Sequence, residues 1–291
     1  MDNYSSATGR ASSVALELCC EGTAIRGEHT IVPQSYGDVV FVHGGGQTRH
    51  SWRRTARRVA SAGWSTLAFD LRGHGESDWA PDGDYSTDAM IADLRAVVGQ
   101  LSRPPVVVGA SLGGLLAVLL DGEGHETVRA IVLVDVVPRV DEAGALRVME
   151  FMAAHREGFR SLDAAADAIA VYNPHRPRAS STDGLRRILR WREDRWHWHW
   201  DPSFLPDPPA RRTDPDRVAA AARKVTVPTL AVRGAHSDIV TEQGLRDLAA
   251  LIPHAQVEVV DAGHMVVGDD NATFDEQLPR FLLTLHQLSS R

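Results

Sequence analysis

Apolar residues in this chain fall into short β-branched runs separated by longer stretches with helical spacing. Val39-Val40-Phe41-Val42, Thr66-Leu67-Ala68-Phe69, Val106-Val107-Val108, Ala130-Ile131-Val132-Leu133-Val134 and Leu230-Ala231-Val232 are apolar without alternation, which predicts strands buried on both faces. Gln256 to Val260 predicts a further strand. Between these runs, Ser51 to Ala62, Thr87 to Leu101, Leu112 to Leu120 and Thr241 to Leu251 predict helices, and a final helix is expected from about Asn271 to Leu288. Strands alternating with helices imply an α/β fold with a mostly parallel central sheet covered on both faces. Val14 to Cys19 and Thr23 to Thr30 read as strands near the sheet edge. Met1 to Ser13, polar and rich in Ser and Asn, is expected to be a disordered lead-in.

From Val136 the pattern changes. Until about Ala221 the chain is polar and rich in Pro and Arg, with helical stretches at Asp141 to Glu157, Leu162 to Val171 and Thr182 to Trp191 but no run suited to a sheet centre. Residues 136–221 are therefore expected to form a helical cap inserted into a core made of 14–135 and 222–291. Its most unusual segment is Trp196-His197-Trp198-His199-Trp200. If extended, it puts three tryptophans on one face and two histidines on the other. No Cys or carboxylate set accompanies the histidines at a metal-binding spacing, so no metal site is expected. The tryptophans are expected to hold the cap to the core, to wall a substrate pocket, or both.

The 291 residues, 43% hydrophobic and 24% charged, suit one large domain or one domain carrying an insertion. A formal charge of −7 argues against nucleic-acid binding. The arginine pairs at 53–54, 57–58 and 186–187 read as solvated helix faces. The adjacent Cys19 and Cys20 would point to opposite faces of a strand, which disfavours a disulfide between them. No apolar signal core or membrane-spanning run is present. A cytoplasmic protein acting on a small molecule, as monomer or homodimer, is expected.

The chemistry concentrates where strands end. Val106 to Val108 runs into Gly109-Ala110-Ser111-Leu112-Gly113 and then directly into an apolar helix. Glycines at both ends of that pattern permit a sharp turn with Ser111 at its apex. The alternative is a glycine-rich turn whose serine caps the helix. His43-Gly44-Gly45-Gly46 follows another buried strand, and the amides of Gly45 and Leu112 are expected to form an oxyanion hole. His43 is expected to hydrogen-bond its loop, and Asp70, Arg72 and His74 of the charged loop Asp70-Leu71-Arg72-Gly73-His74-Gly75 are expected to brace it by mutual hydrogen bonds.

With these motifs in this order, and with Ala262-Gly263-His264 after the last strand, the chain resembles the α/β-hydrolase fold family, in its cap-bearing serine hydrolase branch. The resemblance spans nearly the whole core. It implies a triad of Ser111 as nucleophile, His264 as base and Asp238 as the carboxylate that orients the base, in the chain order this fold uses. Asp135, at the end of the strand after the serine turn, is the rival carboxylate. Haloalkane dehalogenases and epoxide hydrolases of this fold carry Asp where Ser111 stands, which sets those activities aside. The expected reaction is hydrolysis of a carboxylic ester or lactone, needing no cofactor. The alternatives are carbon–carbon hydrolysis of a β-diketone-like ketone, haloperoxidase-like perhydrolysis, or a non-enzymatic ligand receptor. Expected pocket residues are His43, Gly44, Gly46, Trp196, Trp198, Trp200, His236 and Met265.

Overall fold

The unbroken apolar runs become the inner strands of an eight-stranded sheet. The computed structural model describes residues 11–125, 127–172, 178, 180–205, 213–267 and 274–289. Its strands are β1 (Ser12–Cys20), β2 (Thr23–Ile31), β3 (Asp38–Val42), β4 (Ser65–Phe69), β5 (Val106–Ala110), β6 (Ala130–Val134), β7 (Leu189–Arg192), β8 (Arg195–Trp198), β9 (Thr229–Gly234) and β10 (Gln256–Val260). The sheet order is β1-β2-β4-β3-β5-β6-β9-β10, with β7 and β8 forming a separate hairpin. β1 and β2, and β2 and β4, pair antiparallel; every other neighbouring pair is parallel. Every residue of β5, β6 and β9 is buried, whereas the edge strands β1 and β10 are largely exposed. Continuous apolar sequence thus marks the strands that helices cover on both sides.

The helices are α1 (Arg53–Ser61), α2 (Thr87–Val98), α3 (Leu112–Leu120), α4 (Glu142–Ala154), α5 (Leu162–Tyr172), α6 (Pro215–Ala222), α7 (Glu242–Leu251) and α8 (Phe274–Ser289). Val39, Phe41, Val106 and Val108 pack with Val59 of α1 and with Phe274, Leu278 and Phe281 of α8 on one face of the sheet. Val40, Val42 and Val107 pack with residues of α2, α3, α6 and α7 on the other. From β3 the chain crosses to β4 on one side, and β5 lies on the other. The carboxyl ends of β3 and β5 therefore flank the point where strand order reverses, the place where open sheets bind ligands.

Several expectations need correction. Ser12 and Ser13 belong to β1, and Ala11 before them is exposed; residues 1–10 of the expected lead-in lie outside the described residues, as do residues 271–273 of the expected last helix. The helix expected over Thr182 to Trp191 is instead a 3-10 turn at Asp183–Arg187 followed by β7. Glu193 and Asp194, at φ 50° and 57°, make the left-handed two-residue turn that joins twisted antiparallel strands. That turn and the cross-strand Trp191–Trp196 contact outweigh the local helical pattern. The stretch expected to be a helical cap thus contains a hairpin. Its end, α6, packs beneath the sheet, where Ala221 lies against Gly122 so closely that a Cβ on Gly122 would overlap its backbone. Cys19 is exposed and Cys20 buried, and both are free thiols. Among the described residues no helix is long and apolar enough to cross a membrane.

Candidate active site

Ser111 sits between β5 and α3 at φ 48° and ψ −116°, a conformation that non-glycine residues rarely adopt. The surrounding glycines make this turn feasible. A Cβ on Gly109 would overlap the backbone of Gly113, and one on Gly113 would overlap the carbonyl of Val42. The Ser111 amide donates to the Val134 carbonyl at 3.0 Å, which ties the turn to the end of β6.

The carboxylate comes from β6. Asp135 follows that strand at φ 49°, with its side chain only 1% exposed. Its Oδ1 accepts from the Gly234 amide at 2.8 Å, and its Oδ2 accepts from Ser237 Oγ at 2.6 Å and from His264 Nδ1 at 2.7 Å. Nδ1 donates to a carboxylate, so Nε2 is left as the basic nitrogen. The expectation that Asp238 fills this place is corrected. Its side chain is 45% exposed and pairs with Arg147 of α4. The reason lies in how α4 docks: the Asp238 carbonyl presses on Gly144, and the Asp141 amide donates to the Ile239 carbonyl at 2.8 Å. This contact with α4 holds the 238–239 backbone and leaves the carboxylate facing outward.

The loop after β9 nevertheless belongs to the site as its brace. Besides Gly234 and Ser237, which hold Asp135, the amides of Ala235 and His236 donate to the carbonyls of Val260 and Ala262 at 2.8 and 2.9 Å. They anchor the segment that presents His264. The His236 ring turns outward to Asp261, 2.9 Å away, and does not line the cavity, contrary to expectation.

In the loop after β3, the Gly44 amide donates to Gln47 Oε1 at 3.0 Å, the Gly46 amide to His74 Nε2 at 3.1 Å, and the Gln47 amide to the Gly44 carbonyl at 3.1 Å. The Gly45 amide is left without an acceptor among the described residues, as is that of Leu112 at the start of α3. Gly44 lies directly beside the serine, since a Cβ there would be 3.3 Å from Ser111 Cβ.

Buried neutral imidazoles hold this loop. His43 Nε2 accepts from the Leu71 amide at 3.0 Å, so its Nδ1 carries the proton and donates to the Gly44 carbonyl at 2.8 Å. Burial pushes the His43 pKa down to about 4. His43 is therefore a loop brace and not, as expected, part of the pocket lining. His74 accepts from Gly46 and donates from Nδ1 to the Arg72 carbonyl at 3.0 Å. Arg72 in turn makes a bidentate pair with buried Asp93, at 2.6 and 2.8 Å. Asp70 holds Arg49 and accepts from the Glu76 amide at 3.0 Å. The charged loop is braced mainly by its neighbours and less by mutual contacts among its own side chains.

Ser111 and His264 open into a cavity of about 600 Å³. Gly44, Gly45, Gly46, Leu112 and Met265 line it on the side of the sheet, and the stretch between β6 and β9 contributes Met152, Phe151, Ile169, Trp198, Trp200 and Phe204. Trp198 and Trp200 stack at 4.7 Å and 13°. Trp196 does not reach the cavity; half-buried nearer the turn of the hairpin, it packs on Trp191 and under Arg186. No acidic side chain lines the cavity among the described residues, and no cluster of His, Cys, Asp and Glu suited to a metal occurs among them. Sequence reasoning missed Ser237, Met152 and Phe204. A serine in a loop and apolar residues in a cap carry no pattern that separates a site role from ordinary packing.

Known proteins agree with this architecture. Residues 38–270 match the family model for the alpha/beta hydrolase fold. The esterase Rv0045c of Mycobacterium tuberculosis is 34% identical over 243 residues, covering 79% of this chain and 78% of the relative. A 3-hydroxybutyrate-oligomer hydrolase of Cupriavidus necator is 27% identical, covering 74% and 80%. Among solved structures, an alpha/beta hydrolase from Novosphingobium aromaticivorans superposes with a TM-score of 0.79 at 25% identity, over 94% of this chain and 99% of the other. The chain belongs to the alpha/beta hydrolase fold family and is an enzyme of that family.

Proposed function

We propose that the protein hydrolyses carboxylic esters with a sizeable apolar acyl or alkyl group, by acyl transfer through Ser111, His264 and Asp135. A serine hydroxyl is a weak nucleophile until a base takes its proton. His264 Nε2 accepts that proton as Oγ attacks the acyl carbon, and the buried Asp135 carboxylate stabilises the imidazolium. The tetrahedral oxyanion faces the Gly45 and Leu112 amides, donors of a kind whose individual loss costs roughly 10²–10³ in kcat. As the intermediate collapses, His264 returns the proton to the departing alcohol. A water then attacks the acyl-serine and gives its proton to the same nitrogen, and as the second intermediate collapses His264 passes that proton to Ser111 Oγ and the acid leaves.

The observation that carries this reading is the 2.7 Å contact between His264 and a carboxylate held by two further donors, with Ser111 on a strained turn in the same cavity. The esterase relative supports the ester as substrate. The apolar lining supports a substrate larger than acetate esters, since cavities of roughly 300–1,000 Å³ take up drug-sized molecules.

Hydrolysis of p-nitrophenyl esters from acetyl to dodecanoyl tests it. The wild type should turn over with an optimum at intermediate chain length, and a fluorophosphonate should label Ser111. The Ser111→Ala variant should do neither. Absence of both turnover and adduct in the wild type would overturn the proposal.

A further inference from the structure

The cap grips the loop that carries the proposed oxyanion donor, and the grip runs through one side chain outside the triad. His199 follows β8 between Trp198 and Trp200. The two indoles line the cavity, whereas the imidazole points the other way, into the core. There Nδ1 accepts from the Gly75 amide at 2.8 Å, so Nε2 carries the proton and donates to the Gly46 carbonyl at 3.2 Å. The ring is 3% exposed. Its burial, with His74 and His43 nearby, holds its pKa well below the ordinary histidine value, in keeping with the single tautomer that both contacts require.

Gly46 lines the cavity and is held at both its amide, by His74, and its carbonyl, by His199. At φ +73°, a Cβ there would stand 2.8 Å from Met152 Cε and 3.3 Å from the Trp200 ring. Gly45, whose amide has no acceptor among the described residues, directly precedes it. The hairpin and the residues after it reach the 73–75 loop by further routes: the Asp201 amide donates to the Gly73 carbonyl at 2.9 Å, and Arg190 of β7 donates to the Gly75 carbonyl at 3.3 Å. His199 alone among these residues bonds both loops.

We infer that His199 is a positioning residue that keeps the loop bearing the Gly45 amide in place by clamping the next residue, Gly46, to the hairpin, alongside the His43 and Gln47 bonds that orient the Gly44–Gly45 peptide itself. The hairpin is then part of the catalytic frame and not only a lid that selects substrate. This inference rests on the acyl-transfer reading for its kinetic consequence, but not for its structural one. Misplacing a donor by about 1 Å costs on the order of 10²-fold in rate. Because His199 does not line the cavity, substrate binding should change much less than the chemical step.

The test compares His199→Phe, which keeps a planar ring without its hydrogen bonds, and His199→Gln, whose amide offers both an acceptor and a donor. With p-nitrophenyl butyrate, Phe should lower kcat by roughly ten- to a hundredfold while KM stays within about threefold, and Gln should recover most of kcat. Amide hydrogen exchange should rise in peptides covering 44–47 and 73–76 in the Phe variant and stay close to wild type in the Gln variant. Circular dichroism checks that each variant folds, and a Phe variant that does not fold leaves the decision to Gln alone against the wild type. Unchanged kcat in Phe, equal losses in Phe and Gln, a loss confined to KM, or unaltered exchange in those two loops would overturn the inference; for Gln alone, a loss of kcat or faster loop exchange would do so. A wild type that neither turns over ester nor accepts the fluorophosphonate would count against acyl transfer instead. The exchange measurement would still decide whether His199 clamps the two loops.

Discussion

The loops that follow β6 and β9 leave the sheet side by side, each carries an aspartate, and they do different work. Asp135 comes directly after β6, so the strand's own geometry aims it, and three donors close around it. Asp238 comes four residues after Gly234, far enough along for the cap to claim the backbone and leave the side chain to Arg147. The β9 loop contributes through its amides and Ser237 Oγ, which hold Asp135 and the segment bearing His264. A carboxylate's place in the chain says which loop is near the histidine. It does not say whether that loop supplies the acid or the scaffold around it.

Exchanging the two carboxylates for amides tests this division most strongly. Asp135→Asn should lower kcat for ester hydrolysis by about 10³–10⁴, because the amide leaves the imidazole in the wrong tautomer and its cation without support. Asp238→Asn should stay within about twofold. The opposite ranking would move the acid to the β9 loop. A smaller effect is expected from Ser237→Ala, which removes one donor from Asp135 Oδ2 and should cost roughly tenfold in kcat, a hydrogen bond to a charged group being worth about 1.5–3 kcal/mol. No change there would reduce Ser237 to a bystander.

The imidazole braces make the loop after β3 sensitive to acid. His43 titrates near 6.5 when unfolded and about 4 when folded, so the unfolded chain binds more protons between those values. Stability should be complete above about pH 6.5 and fall toward pH 4, by roughly 1 kcal/mol per pH unit for each such histidine. His199, shifted in the same direction, adds to the slope. Urea unfolding between pH 7 and 5 measures it, and His199→Gln should flatten it; an unchanged slope would mean that His199 charges without cost. The smallest effect belongs to the surface partner of Asp238. Arg147→Gln should change unfolding stability by less than about 1 kcal/mol, because exposed pairs are screened by water.

The chain's own pattern identified the sheet, the serine turn and the loop that carries His264. Buried parallel strands need continuous apolar residues, and a strand that turns sharply into a helix needs glycine where backbones approach. Both demands are local, so they are written locally. The stretch 136–221 was legible as a change in composition, but its internal structure was not. The helical reading of 182–191 failed because a hairpin depends on cross-strand partners and on left-handed φ at Glu193 and Asp194, neither of which spacing reveals. His199 stood in an alternation visible from the start, yet its acceptor and donor lie on loops more than a hundred residues away.

Sequence by itself determined that this protein is an α/β enzyme scaffold with a serine at a strained turn and a histidine after the last strand, because near neighbours in the chain enforce those features. Tertiary structure alone decided which aspartate meets that histidine, which tryptophans face the cavity, and what holds Gly46. Each of those outcomes depends on which backbone amides and carbonyls from distant segments are left to be satisfied once the sheet and cap have packed.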